Sequence, residues 1–340
     1  MRGFRKIELK TRPDVLDTLI RAYLSDNAPS RTSICEDTGI SKPTASKVAS
    51  ALIDSGFMCE RLFSLDGKER PRLHLFLRDS VRILLVDLSS SQFKMSILAG
   101  DASVVLESAY NYDSSITFDD NINIFLSRCG LSVKHSGVGF SAISVLYADS
   151  SRINNLRQIP LPSIKQKDTI SHAILEILGK TPEKHLTISD AICEAVRFNV
   201  NCTKVLSGVS YIFVGRTLLA FHAHTDSTKT VCAPERLLTN DETHVLQSPQ
   251  SSTKESVDEI FIRLCRFMDA AFSPSIIILE SDIHEPDDRT AQRISRDFAL
   301  AGHNPPLIST ISAERGSPVH LSGIVRSTVY ALVKQHITST

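Results

Sequence analysis

Ser41, Lys42, Thr44, Ser46 and Lys47 place three short hydroxyls and two ammonium groups within seven residues. Ala45, Val48 and Leu52 recur at helical spacing through the same stretch. Residues 41–56 are therefore predicted as a helix with an apolar inner face and these polar groups on the other side, near its N-terminal end. A helix N-terminus attracts phosphate, and short polar side chains there reach base edges in a major groove. Further on, Arg61, Lys68, Arg70 and Arg72 surround Asp66-Gly67, a favoured tight-turn pair between predicted strands at 58–63 and 72–77. The hairpin has a basic tip. The chemistry these groups share is polyanion binding.

Upstream elements must hold that helix in place. Thr11-Arg12-Pro13 opens a first helix, with Pro where a missing N–H costs nothing, and Val15, Leu16, Leu19, Ile20, Tyr23 and Leu24 form its apolar face. Ser30 is the predicted N-cap of a short second helix carrying Ile34 and Cys35, which Gly39 ends; Ser41 caps the third. Helix, helix, turn, helix and basic hairpin give residues 1–78 the order of a winged helix-turn-helix DNA-binding domain. A small helical domain with solvated polar faces is the bland alternative, outweighed because caps, turn, polar face and hairpin agree. Charge agrees as well. Residues 1–78 carry 14 basic and 10 acidic side chains and the rest 24 and 28, so a formally neutral chain divides into a basic head and an acidic body.

The 340 residues suggest two or three domains, and 42% hydrophobic with 22% charged residues excludes disordered and fibrous classes. No apolar run reaches the length of a membrane span, and the first residues lack the apolar core of a secretory signal. Seven scattered cysteines suit reduced thiols in a cytoplasmic protein better than a disulfide framework.

Beyond residue 80 the pattern becomes α/β. Strands are predicted at 83–88, 93–98, 103–110 and 136–142, helices at 121–129 and 170–178, then a strand at 186–188 before a helix at 191–200. The scheme repeats with strands at 209–214 and 218–222, a helix at 258–272, a strand at 274–279, a helix at 287–299, a strand at 307–311 and a last helix from Pro318. Two α/β lobes are the expectation.

Taken in order, several stretches resemble the ROK family (repressors, open reading frames and sugar kinases) in its regulator form. In the head they are PSRTSICEDTGISKPTASKVASALIDSGFMCE and GKERPRLHLFL; in the body they are VDLSSSQFKMSILAGD, SGVGFSA, ISDAICEAVRF, FSPSIIILESD and HLSGIVRSTVYAL. The resemblance implies a winged helix-turn-helix followed by a two-lobed, actin-like ATPase (ribonuclease H-like) fold. Lobe 1 would span 79–190 with the C-terminal helix at 317–340, and lobe 2 would span 191–316. It also implies a dimer or higher homo-oligomer.

Kinases of this family grip ATP with Asp-x-Gly-Gly-Thr, where glycine lets backbone N–H groups approach the phosphate. Here the stretch is Asp87-Leu88-Ser89-Ser90-Ser91, the second phosphate turn keeps only Gly215, and the adenosine-side Gly-Gly is replaced by Glu280-Ser281-Asp282. The chain has 14 glycines and no Gly-Gly pair; its lone G-x-G, Gly137-Val138-Gly139, is expected after a strand. Asp190 matches the family's catalytic base, and its plainer reading is an N-cap for the helix from Ala191. Asn154 and Asn155 fall where the family approaches its sugar. The family's zinc-binding cysteine run is absent after Cys232, and His222-x-His224 alone makes a weak metal pair.

The expectation is a DNA-binding transcriptional regulator, a repressor, that is not an enzyme. It uses no metal or other cofactor and reads an inverted-repeat DNA operator through Ser41, Lys42, Thr44, Ser46, Lys47, Arg61, Lys68, Arg70 and Arg72. Its body dimerises, with Asn154, Asn155 and Asp190 as candidate contacts to a sugar or sugar-phosphate effector. The alternatives are an ATP-dependent sugar kinase with an accessory DNA-binding head, and a scaffold whose body takes no small ligand.

Overall fold

The computed structural model describes residues 4–25, 29–63, 72–90, 92–148, 162, 164–199, 208–214, 218–223, 229–231, 253–281, 284, 286–302, 306–310 and 319–339. They belong to two compact units, Met1–Thr203 with Ser317–Thr340, and Lys204–Gly316. Among the described residues no helix is long and apolar enough to cross a membrane.

The first unit begins with a short strand, β1 (Ile7–Leu9), and three helices: α1 (Pro13–Tyr23), α2 (Arg31–Thr38) and α3 (Lys42–Asp54). Pro13 starts α1 as expected. Leu16, Leu19, Ile20 and Tyr23 bury one face of it against Ile34 of α2 and Ala45, Val48 and Leu52 of α3. Ser30 caps α2 through a capping box with Ser33, and Gly39 closes it at φ 66°, a left-handed conformation that costs glycine little. The antiparallel hairpin β2 (Met58–Phe63) and β3 (Arg72–Leu77) follows, pairing Arg61 with His74 and Phe63 with Arg72.

The first five-stranded sheet contains β4 (Ile83–Leu88), β5 (Gln92–Leu98), β6 (Val104–Asn111), β7 (Ala142–Tyr147) and β8 (Lys184–Thr187), in the order β6-β5-β4-β7-β8. The β6-β5-β4 meander is antiparallel and the remaining pairs are parallel. Alternation along the strands serves two layers. Leu84, Val86, Ile143 and Val145 pack on Phe125, Leu126, Ile170 and Ile174 of α4 (Phe118–Ser136) and α5 (Lys167–Leu178). On the other face lie α6 (Ile188–Asn199) and α9 (Val319–His336), where Ser144 of β7 meets Thr328 with their hydroxyls 2.6 Å apart.

The second unit repeats this scheme. Its strands β9 (Val209–Val214), β10 (Leu218–Ala223), β11 (Lys229–Val231), β12 (Ile276–Ser281) and β13 (Leu307–Thr310) run β11-β10-β9-β12-β13, with the same mix of antiparallel and parallel pairs. Helices α7 (Lys254–Phe272) and α8 (Asp288–Leu300) supply Phe261, Leu264, Ile294 and Phe298 to its core.

Three expectations are corrected. The strand expected at 136–142 is displaced: α4 runs to Ser136, Gly137 ends it at φ 65°, and the strand is the fully buried β7. The apolar run 138–147 has no period that marks where the strand starts. Gly137-Val138-Gly139 accordingly follows a helix, and Gly137 serves as its C-cap. The helix expected from Ala191 begins at Ile188, so Asp190 lies inside its first turn. Sequence reading also missed a parallel pair between the two ends of the chain: β1 lies beside β14 (Ile337–Ser339), Ile7 opposite Ile337.

Candidate nucleic-acid interface

α3 presents its N-terminal turn to solvent. Ser41, Lys42 and Lys47 are exposed, and Thr44 and Ser46 are half-buried. The Ser41 hydroxyl makes no cap to the first backbone N–H groups and lies 2.9 Å from Thr44 Oγ1. The turn contains no acidic residue, so no carboxylate within it offsets the positive end of the helix dipole. Lys47 donates to the Lys10 carbonyl at 3.1 Å, placing the segment between β1 and α1 beside α3, a neighbour that sequence spacing does not reveal.

Local chemistry fixes this presentation. The buried Tyr23 hydroxyl donates to the Ala45 carbonyl at 2.9 Å, tying the end of α1 to α3. Burial pushes the Tyr23 phenol well above its ordinary value, so it stays a donor. Leu75 N–H donates to the Pro29 carbonyl at 3.1 Å, and Arg31 pairs with Glu60 at 2.8 Å, anchoring the start of α2 on the hairpin.

On the hairpin, Arg72 is exposed at the strand end nearest the turn, and Lys68 and Arg70 lie outside the described residues. Arg61 is bound to Asp79 at 2.9 Å and its guanidinium sits 5.8 Å from the Phe76 ring, so a protein carboxylate already faces it. The hairpin also exposes Leu62 and Leu73, a directly paired apolar couple.

The three helices are bolted to the α/β part of the same unit through Asp17 of α1. Tyr330 of α9 donates to Asp17 Oδ1, Lys334 reaches the same oxygen at 3.0 Å, and Arg21 binds Oδ2 at 3.0 Å. Arg21 also lies over Tyr330, 4.3 Å from the ring centroid, and 5.6 Å from that of Phe198 on α6. Burial disfavours the charge on Asp17, but the bonds from Tyr330, Lys334 and Arg21 outweigh it and hold the carboxyl below its ordinary value. Burial, aided by the Asp17 carboxylate, pushes the Tyr330 phenol up to about 12. Phe4 stacks on Phe57 with centroids 4.0 Å apart, and His336 of α9 stands edge-on to both.

Of the expected effector contacts, only Asp190 lies among the described residues. Asn154 and Asn155 lie outside the described residues. Asp190 is the third helical residue of α6: its carboxylate accepts from Thr187 N–H at 3.0 Å and from the Thr187 hydroxyl at 2.8 Å, while Asp190 N–H donates back to that hydroxyl at 3.2 Å. This is a capping box in which Thr187, not Asp190, is the N-cap. Asp87 Oδ1 accepts from Ser89 N–H at 2.9 Å, closing the turn where the resemblance would place a phosphate cradle. His222 is buried, 3.0 Å from Ser210 Oγ and stacked on Phe272, while His224 lies outside the described residues. Among the described residues no group of three or more His, Cys, Asp or Glu side chains is arranged to hold a metal ion.

One polar cluster escaped the sequence reading because its members are scattered along the chain. Tyr147 Oη is 2.8 Å from His185 Nδ1, and His185 Nε2 is 2.9 Å from Ser171 Oγ. Ser171 donates its proton to the Lys167 carbonyl at 2.7 Å. The hydroxyl must then accept from Nε2–H, and Nδ1 accepts from Tyr147, so the imidazole cannot act as base for the serine. Burial, with Lys167 nearby, lowers the His185 pKa and keeps the ring neutral.

No protein-family model matches the chain, and no curated protein matches it. Solved structures do. A ROK family transcriptional regulator, described as a homologue of the E. coli MLC protein, superposes with a TM-score of 0.54 at 12% identity, over 93% of this chain and 96% of that one. The chain has the ROK fold. A ROK protein from Streptococcus pneumoniae in complex with sucrose gives 0.47 at 13% identity, over 73% of this chain and 98% of that one. The ROK hexokinase from Thermus thermophilus gives 0.47 at 14%, over 75% and 100%. These neighbours correct one expectation: sugar kinases stand among the proteins with the ROK fold, so the reading of this chain as a non-enzyme is withdrawn.

Proposed function

We propose that this ROK-fold chain is a DNA-binding transcriptional regulator, a repressor, whose residues 1–78 form a winged helix-turn-helix. The observation that carries the reading is the N-terminal turn of α3. It exposes Ser41, Lys42 and Lys47, contains no acid, and is held outward by the Tyr23–Ala45 bond and the capped α2. Such a turn suits phosphate at its N–H groups and base edges at its short side chains. Arg72 and the basic residues of the hairpin turn supply a second contact to the backbone. The α/β body dimerises, setting two α3 helices about 34 Å apart on an inverted-repeat operator, and takes a sugar or sugar phosphate as effector.

The test is selection of genomic fragments by the full-length protein, followed by titration of the recovered fragment at several salt concentrations. Lys42→Ala with Lys47→Ala should weaken binding at least about tenfold and flatten the salt slope by roughly 0.9 for each phosphate no longer neutralised. Failure to enrich any sequence, or unchanged affinity and slope in the double variant, would overturn the reading. ADP release against a hexose panel, with the same preparation, measures whether the body also transfers phosphate.

A further inference from the structure

A groove of about 480 Å³ opens where the hairpin meets the first sheet, within the first unit. That is the size of a small-molecule site. Three arginines line it, contributed by three separate segments: Arg61 from β2, Arg82 just ahead of β4, and Arg326 from α9. Two carboxylates share the lining, Asp79 and Asp101, which leaves one excess positive charge. Arg61 is matched by Asp79. Asp101 accepts from Ser103 N–H at 3.0 Å and from its hydroxyl at 2.6 Å; those bonds hold its carboxyl low, with a contribution from Arg326. Arg82 differs. It is half-buried, and its guanidinium has no hydrogen-bond or ion-pair partner among the described residues.

A guanidinium is a rigid fork of donors that matches phosphate and carboxylate, and one that lines a groove without a protein acceptor is suited to an anion from solution. Phe76 and Val105 give the same groove an apolar side. We propose that it binds a small organic anion, its phosphate or carboxylate seated on Arg82 in the field of Arg61 and Arg326, its carbon skeleton against Phe76 and Val105. The walls come from the hairpin, the β5–β6 turn and α9, so an occupant bridges the head to the sheet and fixes one relative to the other. Binding is measured without DNA, so the inference fails or stands separately from the regulator reading.

The experiment is thermal unfolding of the full-length protein at low ionic strength with inorganic phosphate, citrate or glucose 6-phosphate, and glucose as the uncharged control. At about a hundredfold excess over Kd, a bound anion should raise the midpoint by roughly 5 °C or more, and glucose should not. The phosphate and citrate arms separate the two acid groups. Arg82→Gln should weaken the anion's Kd at least about tenfold, the effect of removing one charge-assisted hydrogen bond. Val105→Trp, at an exposed position of an edge strand, should fill the groove and abolish the shift without removing any charge. No shift with any of the three anions would overturn the proposal, as would a shift of equal size in both variants. If Arg82→Gln fails to fold, Val105→Trp decides alone.

Discussion

Gly323→Ala sets two opposed effects against each other, and the structure decides between them. Gly323 lies inside α9, where alanine is favoured over glycine by about 1 kcal/mol on helix propensity. A Cβ at this position would fall 1.7 Å from the Ala191 carbonyl oxygen, 2.7 Å from its carbon and 2.8 Å from the Ala195 nitrogen, all backbone atoms of α6. No rotamer change relieves a clash between two backbones. α9 must move by roughly 1.5 Å to restore ordinary contact, opening the packing around Ile324, Val325 and Val329. Overpacking costs about 1–3 kcal/mol when side chains can adjust and more when they cannot, so it outweighs the propensity gain. A net loss of about 2 kcal/mol corresponds to a midpoint roughly 4–8 °C lower for a unit of this size. Gly130→Ala is the control: its Cβ would meet Leu178 and Ile177 at 3.5 Å or more, ordinary contact, so propensity alone should operate and stability should stay level or rise by up to about 1 kcal/mol. Circular dichroism melts of the three proteins read both signs. A Gly323→Ala midpoint equal to or above the wild type would refute this account of the packing.

Asp17→Asn and Tyr330→Phe should each loosen the attachment of α1 to α9, at a cost of about 1–2 kcal/mol, read by hydrogen exchange in α1 and by the melting midpoint. The pH dependence has a definite sign: the folded-state pKa of Asp17 is depressed, so its stabilisation is complete above the unfolded value of 3.8 and is lost as pH falls through the lower folded value. Acid titration should release this contact in the wild type, and Asp17→Asn should remove that part of the acid dependence. Thiol reagents should modify the partly exposed Cys35 and Cys59 before Cys129 and Cys265, because burial pushes the Cys129 thiol up to about 12 and the Cys265 thiol higher still; labelling followed by mass spectrometry checks the order.

The local elements of the head were legible in the sequence because short-range chemistry determines them. Ser30, Gly39 and Pro13 act within a few residues of themselves, and the strands 58–63 and 72–77 lie at the predicted positions. The buried spacing of Ala45, Val48 and Leu52 likewise set which side of α3 faces out. Boundaries slipped where the pattern was uniform: nothing in the apolar run 138–147 marks where β7 starts, and Thr187 competed with Asp190 for the cap of α6. The polar residues of α3 were identified by type and spacing, but the place of Lys10 beside Lys47 was not.

What the amino-acid order determined by itself was therefore most of the elements, the ends of α2 at Ser30 and Gly39, and the polar face of α3. Tertiary structure decided the rest: the pairing of β1 with β14 across the length of the chain, the convergence of Tyr330 and Lys334 on Asp17, the close backbone approach at Gly323, and the grouping of Arg61, Arg82 and Arg326 around one groove. Each joins segments tens to hundreds of residues apart. Periodicity and capping act over a few residues along the chain, whereas charge pairing and close packing depend only on distance in space.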